Sequence, residues 1–259
     1  MKSIVVASDL SDRSRQALSR AVNLAADTKA ELTVLHVVDD AIPANLSNQV
    51  QVGARTLLAE QVAADAKDRD ITVTVTVDVG DTIEIIGAVT ESTKADLLVV
   101  GLHRRRKFLD QIRETTMEHL IRLSDIPVLL VAGPGDHDYS HVLSGVALSK
   151  VCATALRKIS MLAPQADLTI FNAHEVSFRK ETEQEYETWK AMNPLPEGLP
   201  DPVFVEASAA DALETIMKDG GYDLLAIGGH TRSSAGRYIL GGFTAGLIRN
   251  PPCDLLIAK

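Results

Sequence analysis

The stretch Asp96-Leu97-Leu98-Val99-Val100-Gly101-Leu102-His103 returns as Asp223-Leu224-Leu225-Ala226-Ile227-Gly228-Gly229-His230, so the chain builds one structural unit twice. Gly101 and Gly228 are 127 residues apart, and the same offset carries Ile121-Arg122 onto Ile248-Arg249 and Val128 onto Leu255. Upstream the offset drifts to 138 for Ala17-Leu18 against Ala155-Leu156 and to 136 for Leu32-Thr33-Val34 against Leu168-Thr169-Ile170, as changes in loop length produce. A period this long describes two copies of a domain, not a solenoid of short repeats. Each copy runs from an acidic residue through a short apolar run to a glycine and a histidine. That pattern suits a fully buried strand whose carboxyl end opens into a loop. Ligands of open α/β sheets gather at such ends.

At 259 residues and 46% hydrophobic content, the chain is long enough for two domains that each bury a sufficient core. Lys plus Arg number 26 against 35 Asp plus Glu, and the formal charge of −9 argues against a general nucleic-acid partner. Residues 1–6 pass directly into a strand pattern without a long apolar segment or cleavage site. The expectation is a cytoplasmic protein with no membrane partner. Cys152 and Cys253 form no CxxC or metal-like spacing, which fits a reducing compartment, and both read as small packing residues.

In the first copy the expected order is a strand at residues 3–8, a helix capped by Ser11, a strand at 32–38 and a helix over 46–67. The next strand, 71–78, alternates strictly, with Ile71, Val73, Val75 and Val77 on one face and threonines on the other, which predicts a place near a sheet edge. A helix at 81–93, the opening stretch, a helix at 115–123 and a strand at 128–131 complete the copy. This alternation predicts an α/β fold with a parallel sheet covered on both faces. Gly133-Pro134-Gly135-Asp136 breaks the pattern, and residues through His141 read as a short linker. The expected domains are 1–138 and 139–259.

The second copy repeats this order with strands at 142–147, 167–173, 203–206, 224–228 and 255–258. Its helices fall at 149–162, 208–218 and 243–249. Its middle differs: residues 177–190 form a highly charged helical segment, and 193–202 are too rich in proline for a helix. Tyr186 and Trp189 on that segment read as helix packing or a contact surface, not as a base-stacking platform.

Several runs together resemble the universal stress protein family: Val5-Val6-Ala7-Ser8-Asp9 with Ser11, Leu35-His36-Val37-Val38-Asp39, residues 96–103, and Ile126-Pro127-Val128-Leu129-Leu130-Val131. In the second copy, residues 223–230, Gly241 and Cys253-Asp254-Leu255-Leu256-Ile257 match. The chain looks like a tandem universal stress protein. The resemblance implies two open parallel five-stranded sheets of order 3-2-1-4-5 with helices on both faces. It further implies that the halves pack as a pseudo-twofold pair through their fifth strands, an intrachain pseudo-dimer that leaves room for a further homodimer.

The resemblance also implies a crevice between strands 1 and 4 that holds ATP in some members. Those members share a signature of Gly, two residues, Gly, nine residues, Gly, then Ser or Thr. Glycine there lets backbone N–H groups approach phosphates, and a helix start supplies further donors. The first copy retains Gly101 and Thr115 but carries Arg104 and Glu114 where glycines are expected. It keeps Asp9, at the place of the family's acidic residue near the adenosine, and Val37 beside it on the second strand. His103-Arg104-Arg105-Arg106-Lys107 offers side-chain charge to an anion.

The second copy retains Gly228 and Gly241, with Thr231 at the second glycine and Gly242 at the terminal hydroxyl. Arg232, Ser233, Ser234 and Gly236 keep phosphate-compatible chemistry, while Ala147 stands at the place of Asp9. Each copy therefore carries part of a site. His103 and His230 follow the repeated strand in both copies and read as ligand or loop hydrogen-bonding groups, and His36 and its counterpart Asn172 read as structural. No Walker loop, nucleophile elbow, zinc-finger spacing or dinucleotide fingerprint occurs, and no nucleophile–base–orienter set can be assembled.

The leading expectation is a stress-response regulatory or protective binding protein with degenerate adenine-nucleotide sites. Its ligand would be ATP, ADP, AMP or another small anion, with weak ATPase activity at most. The alternatives are an ATP-binding member with slow ATPase or signalling activity, and an adenylyl-transferring enzyme of related fold.

Overall fold

Ile4, Val5 and Val6 are wholly buried because β1 (Ser3–Ala7) lies at the centre of its sheet, with β2 (Glu31–Val38) on one side and β4 (Leu97–Gly101) on the other. A computed structural model describes residues 1–67, 69–102, 116–174, 179–229, 231–234 and 237–259. The chain divides into two units, Met1–His137 and Asp138–Lys259.

Unit one adds β3 (Val73–Val79) and β5 (Val128–Val131), giving the order β3-β2-β1-β4-β5 with every pair parallel. As its alternation requires, β3 is an edge strand: Val77 is buried while Thr74 is exposed. The connecting helices are α1 (Asp12–Thr28), α2 (Ala44–Asp65), α3 (Thr82–Ser92) and α4 (Thr116–Leu123). Ser11 caps α1 by accepting the Ser14 N–H, and Ala17, Leu18, Ala21, Leu24 and Ala25 form its buried stripe. The acid that opens the repeated stretch fixes the entry to β1, because Asp96 Oδ2 accepts the backbone N–H groups of Lys2 (2.6 Å) and Ser3 (3.2 Å).

Unit two comprises β6 (His141–Gly145), α5 (Lys150–Leu162), β7 (Asp167–His174), α6 (Arg179–Met192), β8 (Val203–Glu206), α7 (Ala209–Asp219) and β9 (Leu224–Gly228). A hairpin of β10 (Thr231–Ser234) and β11 (Arg237–Leu240) follows, then α8 (Gly242–Arg249) and β12 (Asp254–Ala258). Its main sheet runs β8-β7-β6-β9-β12, all parallel, so the topology of unit one recurs. Asp223 repeats the part of Asp96, accepting the Ser140 N–H at 2.7 Å and the His141 N–H at 3.2 Å. Tyr186 and Trp189 are buried against the unit, and Trp189 Nε1 donates to the Ser149 carbonyl at 3.0 Å, so both are packing residues.

One feature differs from the sequence expectation. Thr231 to Ser234 is not an open loop: it pairs antiparallel with Arg237 to Leu240, in register Thr231 with Leu240 and Arg232 with Ile239. The glycine-rich segment after β5, read as the start of a linker, is held against α1. Arg20, itself buried, donates to the carbonyls of His137 and Pro134, and Asn23 donates to that of Gly135. A charged side chain sealed in this way needs acceptors, and the backbone of 134–137 supplies them. Among the described residues no helix is long and apolar enough to cross a membrane.

Candidate functional site

Both units make the same sharp turn where strand 1 gives way to helix 1. Leu10 (φ 64°) and Leu148 (φ 50°) occupy the left-handed region, each directly before a helix-capping serine, Ser11 or Ser149. A leucine there costs about 1 kcal/mol or more. Part of the compensation is visible in unit one, where Leu10 packs against the buried cluster of Val38, Ala54 and Val77. Residue type alone does not flag this turn. Its signal is the repeat, since Leu10-Ser11 and Leu148-Ser149 share the 138-residue offset.

The second strand locks that turn from the side. His36 Nδ1 lies 2.8 Å from the Ser8 carbonyl oxygen, and because a carbonyl only accepts, Nδ1 carries the proton. In unit two, Asn172 Nδ2 donates to the Val146 carbonyl at 2.8 Å. Two different side chains thus make the same kind of bond at equivalent places, in agreement with the structural reading of this pair.

In unit one, Asp9 is exposed and its Oδ1 accepts the Ser11 N–H at 3.0 Å, while Val37 is half-buried near the end of β2. Gly101 closes β4, which neighbours β1, so Asp9, Val37 and Gly101 gather at the carboxyl end of three adjacent strands. A Cβ on Gly101 would stand 2.7 Å from the Arg13 carbonyl oxygen and 2.9 Å from the Ser14 nitrogen. Gly228, its equivalent, would place one 2.8 Å from Val151 Cγ2 and 3.1 Å from the Cys152 nitrogen. The first glycine of each copy is therefore required by the approach of helix 1 to strand 4, whatever else it does.

Gly241 and Gly242 are of another kind, because among the described residues a Cβ at either would meet nothing within 4 Å. Gly241 is the N-cap residue of α8 and, being glycine, makes no side-chain cap hydrogen bond there. Thr231 pairs with Leu240, which immediately precedes Gly241. The start of α8 thus sits beside the β10–β11 hairpin, with Gly228 at the foot of the same connection. At the place of Asp9, Ala147 is exposed and contributes no charge. His103, Arg104, Glu114, Thr115 and His230 lie outside the described residues, and for Thr231 and Arg232 only the backbone is described. Among the described residues no cluster of His, Cys, Asp and Glu has the arrangement of a metal site.

The universal stress protein family model matches residues 1–132 and again 138–259. No curated protein sequence matches the chain. Its fold is similar to a universal stress protein from Archaeoglobus fulgidus DSM 4304, with a TM-score of 0.77 at 18% identity over 99% of this chain and 98% of that one. It is also similar to a putative universal stress protein from Pseudomonas aeruginosa UCBPP-PA14, with a TM-score of 0.68 at 17% identity over 100% of this chain and 93% of that one. With both matches falling on the two repeats that the fold displays, the chain belongs to the universal stress protein family and carries its domain twice.

Proposed function

We propose that this chain is a stress-response binding protein, regulatory or protective in role, whose two nucleotide sites have decayed unequally. In this reading unit two retains the phosphate end of the site and has lost the acidic group near the adenosine. Unit one retains that acid and has lost the glycine access. The observation that carries the reading is the start of α8, where among the described residues Gly241 and Gly242 leave open space beside backbone donors that the N-cap residue does not satisfy. Uncapped N–H groups and the helix dipole favour an anion there. Ala147 weakens the other end, so the expected affinity for an adenine nucleotide is low.

Titration calorimetry with ATP, ADP and AMP, with and without magnesium, tests this. Weak binding that disappears in Gly241→Glu supports the assignment to unit two. Undiminished affinity in that variant, or a nucleotide held on the Asp9 and Arg104 side, sinks it. Steady release of inorganic phosphate from ATP would favour instead the reading as a slow ATPase.

A further inference from the structure

The helix that follows the second strand differs between the units in one respect the shared fold does not require. In unit two, α6 turns Lys180, Glu181, Glu185, Glu187 and Lys190 to solvent, an ordinary charged outer face. In unit one, α2 turns Leu46, Val50, Val52 and Leu57 outward, with Val52 66% exposed. Between Asn45 and Ala64, Arg55 and Glu60 are the sole charges at exposed positions. A surface helix that exposes several large aliphatic side chains among few charges marks a contact surface. Because α6 occupies the equivalent place without such a face, α2 owes its outer face to something other than the domain's own stability.

The outer face carries its own pairing pattern. Val52, Thr56, Ala59 and Ala63 form a row spaced four, three and four residues apart, and with Arg55 and Glu60 they line a shallow groove along the helix. This is the spacing of a two-stranded coiled-coil seam. On that seam Arg55 and Glu60 fall on opposite flanks, five residues apart. Two parallel copies of the helix would set each Arg55 against Glu60 of the partner copy, on both sides of the seam. Antiparallel copies would instead bring the two Arg55 side chains to one flank. The small side chains of Ala59 and Ala63 let two such helices approach closely, and Gly53 beside the row has no atom within 4 Å of where a Cβ would be.

We propose that the outer face of α2 is a homodimer surface, on which a second copy of this chain docks in parallel through Val52, Thr56, Ala59 and Ala63, with reciprocal Arg55–Glu60 pairs. The seam is poor in large side chains, so the dimer is a weak, concentration-dependent one.

Ala59→Cys in the full chain tests the geometry, because residue 59 meets its own equivalent in the parallel in-register pair, whereas antiparallel pairing of residue 52 with residue 63 sets it against residue 56. The native thiols interfere little: Cys152 is buried, and burial pushes the Cys253 thiol up to about 12. Cys253→Ser removes the second of them from the experiment. Mild oxidation is expected to yield a disulfide-linked dimer through residue 59, and sedimentation of the unmodified protein is expected to show reversible dimers. Arg55→Glu should weaken association about tenfold by opposing like charges, and adding Glu60→Arg should restore it. A chain that stays monomeric and fails to crosslink at 59 overturns the proposal. So does a dimer that crosslinks residue 52 to residue 63, or one indifferent to Arg55→Glu. Selective retention of an unrelated protein by α2, with no self-association, would also overturn it.

Discussion

Asn23 Nδ2 donates to the Gly135 carbonyl oxygen at 2.7 Å, and this bond fastens the end of unit one to α1. Gly135 can lie there because it has no side chain: a Cβ would stand 2.2 Å from the Gln16 carbonyl oxygen and 2.6 Å from the Arg20 nitrogen. Both are helix backbone atoms and cannot move aside. Gly135→Ala is therefore expected to lift the segment and strand the buried Arg20 guanidinium, costing about 2–4 kcal/mol. Asp138→Pro, three residues on at an exposed position, should cost less than about 0.5 kcal/mol. Hydrogen exchange of α1 peptides across a urea series measures both, and equal effects would mean that the segment is a plain tether.

The glycines of the nucleotide-like signature should separate into two classes. Gly101→Ala forces a Cβ against helix backbone and is expected to destabilise unit one by about 1–3 kcal/mol, with no nucleotide present. Gly228→Ala meets the more yielding Val151 side chain and should cost less. Gly241→Ala has open space and should stay within about 1 kcal/mol. Thermal denaturation of the three variants checks the order, and a Gly241→Ala loss as large as that of Gly101→Ala would contradict the steric account.

His174 is buried at the end of β7, and among the described residues neither ring nitrogen has a hydrogen-bond partner. Glu206 Oε1 lies 3.9 Å from Nε2, too far for a hydrogen bond. An apolar side chain of similar volume removes that unmet demand, so His174→Leu is expected to stabilise unit two by about 1 kcal/mol. Trp189, the single tryptophan of the chain, reports on the region, because it packs on Tyr186 at 5.8 Å and Tyr186 meets Phe204 edge-on at 6.0 Å. A fall in the urea midpoint of its fluorescence would show that the ring is held by more than packing.

Burial first, and then the carboxylates of Asp254 and Asp223, raise the Cys253 thiol from 9.0 to about 12. In the unfolded chain the thiol ionises near its ordinary value, so the difference has no effect below that pH. Stability is then expected to fall as pH rises from about 9 to about 12, where the unfolded state alone releases the proton. Cys253→Ser should flatten this decline. The native thiol should also resist alkylation at pH 8, and rapid labelling of the folded protein would contradict its protection.

The repeat of residues 96–103 at 223–230, with its alternation of buried strands and capped helices, determined the fold class, the doubling of the unit and nearly every element. These features are legible because each depends on neighbours along the chain: an apolar run, an alternating strand at 73–79, a serine before a helix. The tertiary structure decided what depended on contacts between distant segments. Gly101 and Gly228 are glycines because a helix N-terminus crowds them, and Gly241 is not crowded, a distinction that identical letters cannot express. The left-handed leucines, the docking of Gly135 on α1 and the burial of the His174 ring likewise arise from packing between elements far apart in sequence. The hairpin after β9 shows the same limit, since short polar strands such as Thr231–Ser234 acquire strand structure from their partner and not from their own pattern. The outward face of α2 required both: its seam is written in the residue spacing, but which side of the helix the sheet had covered was a property of the folded domain.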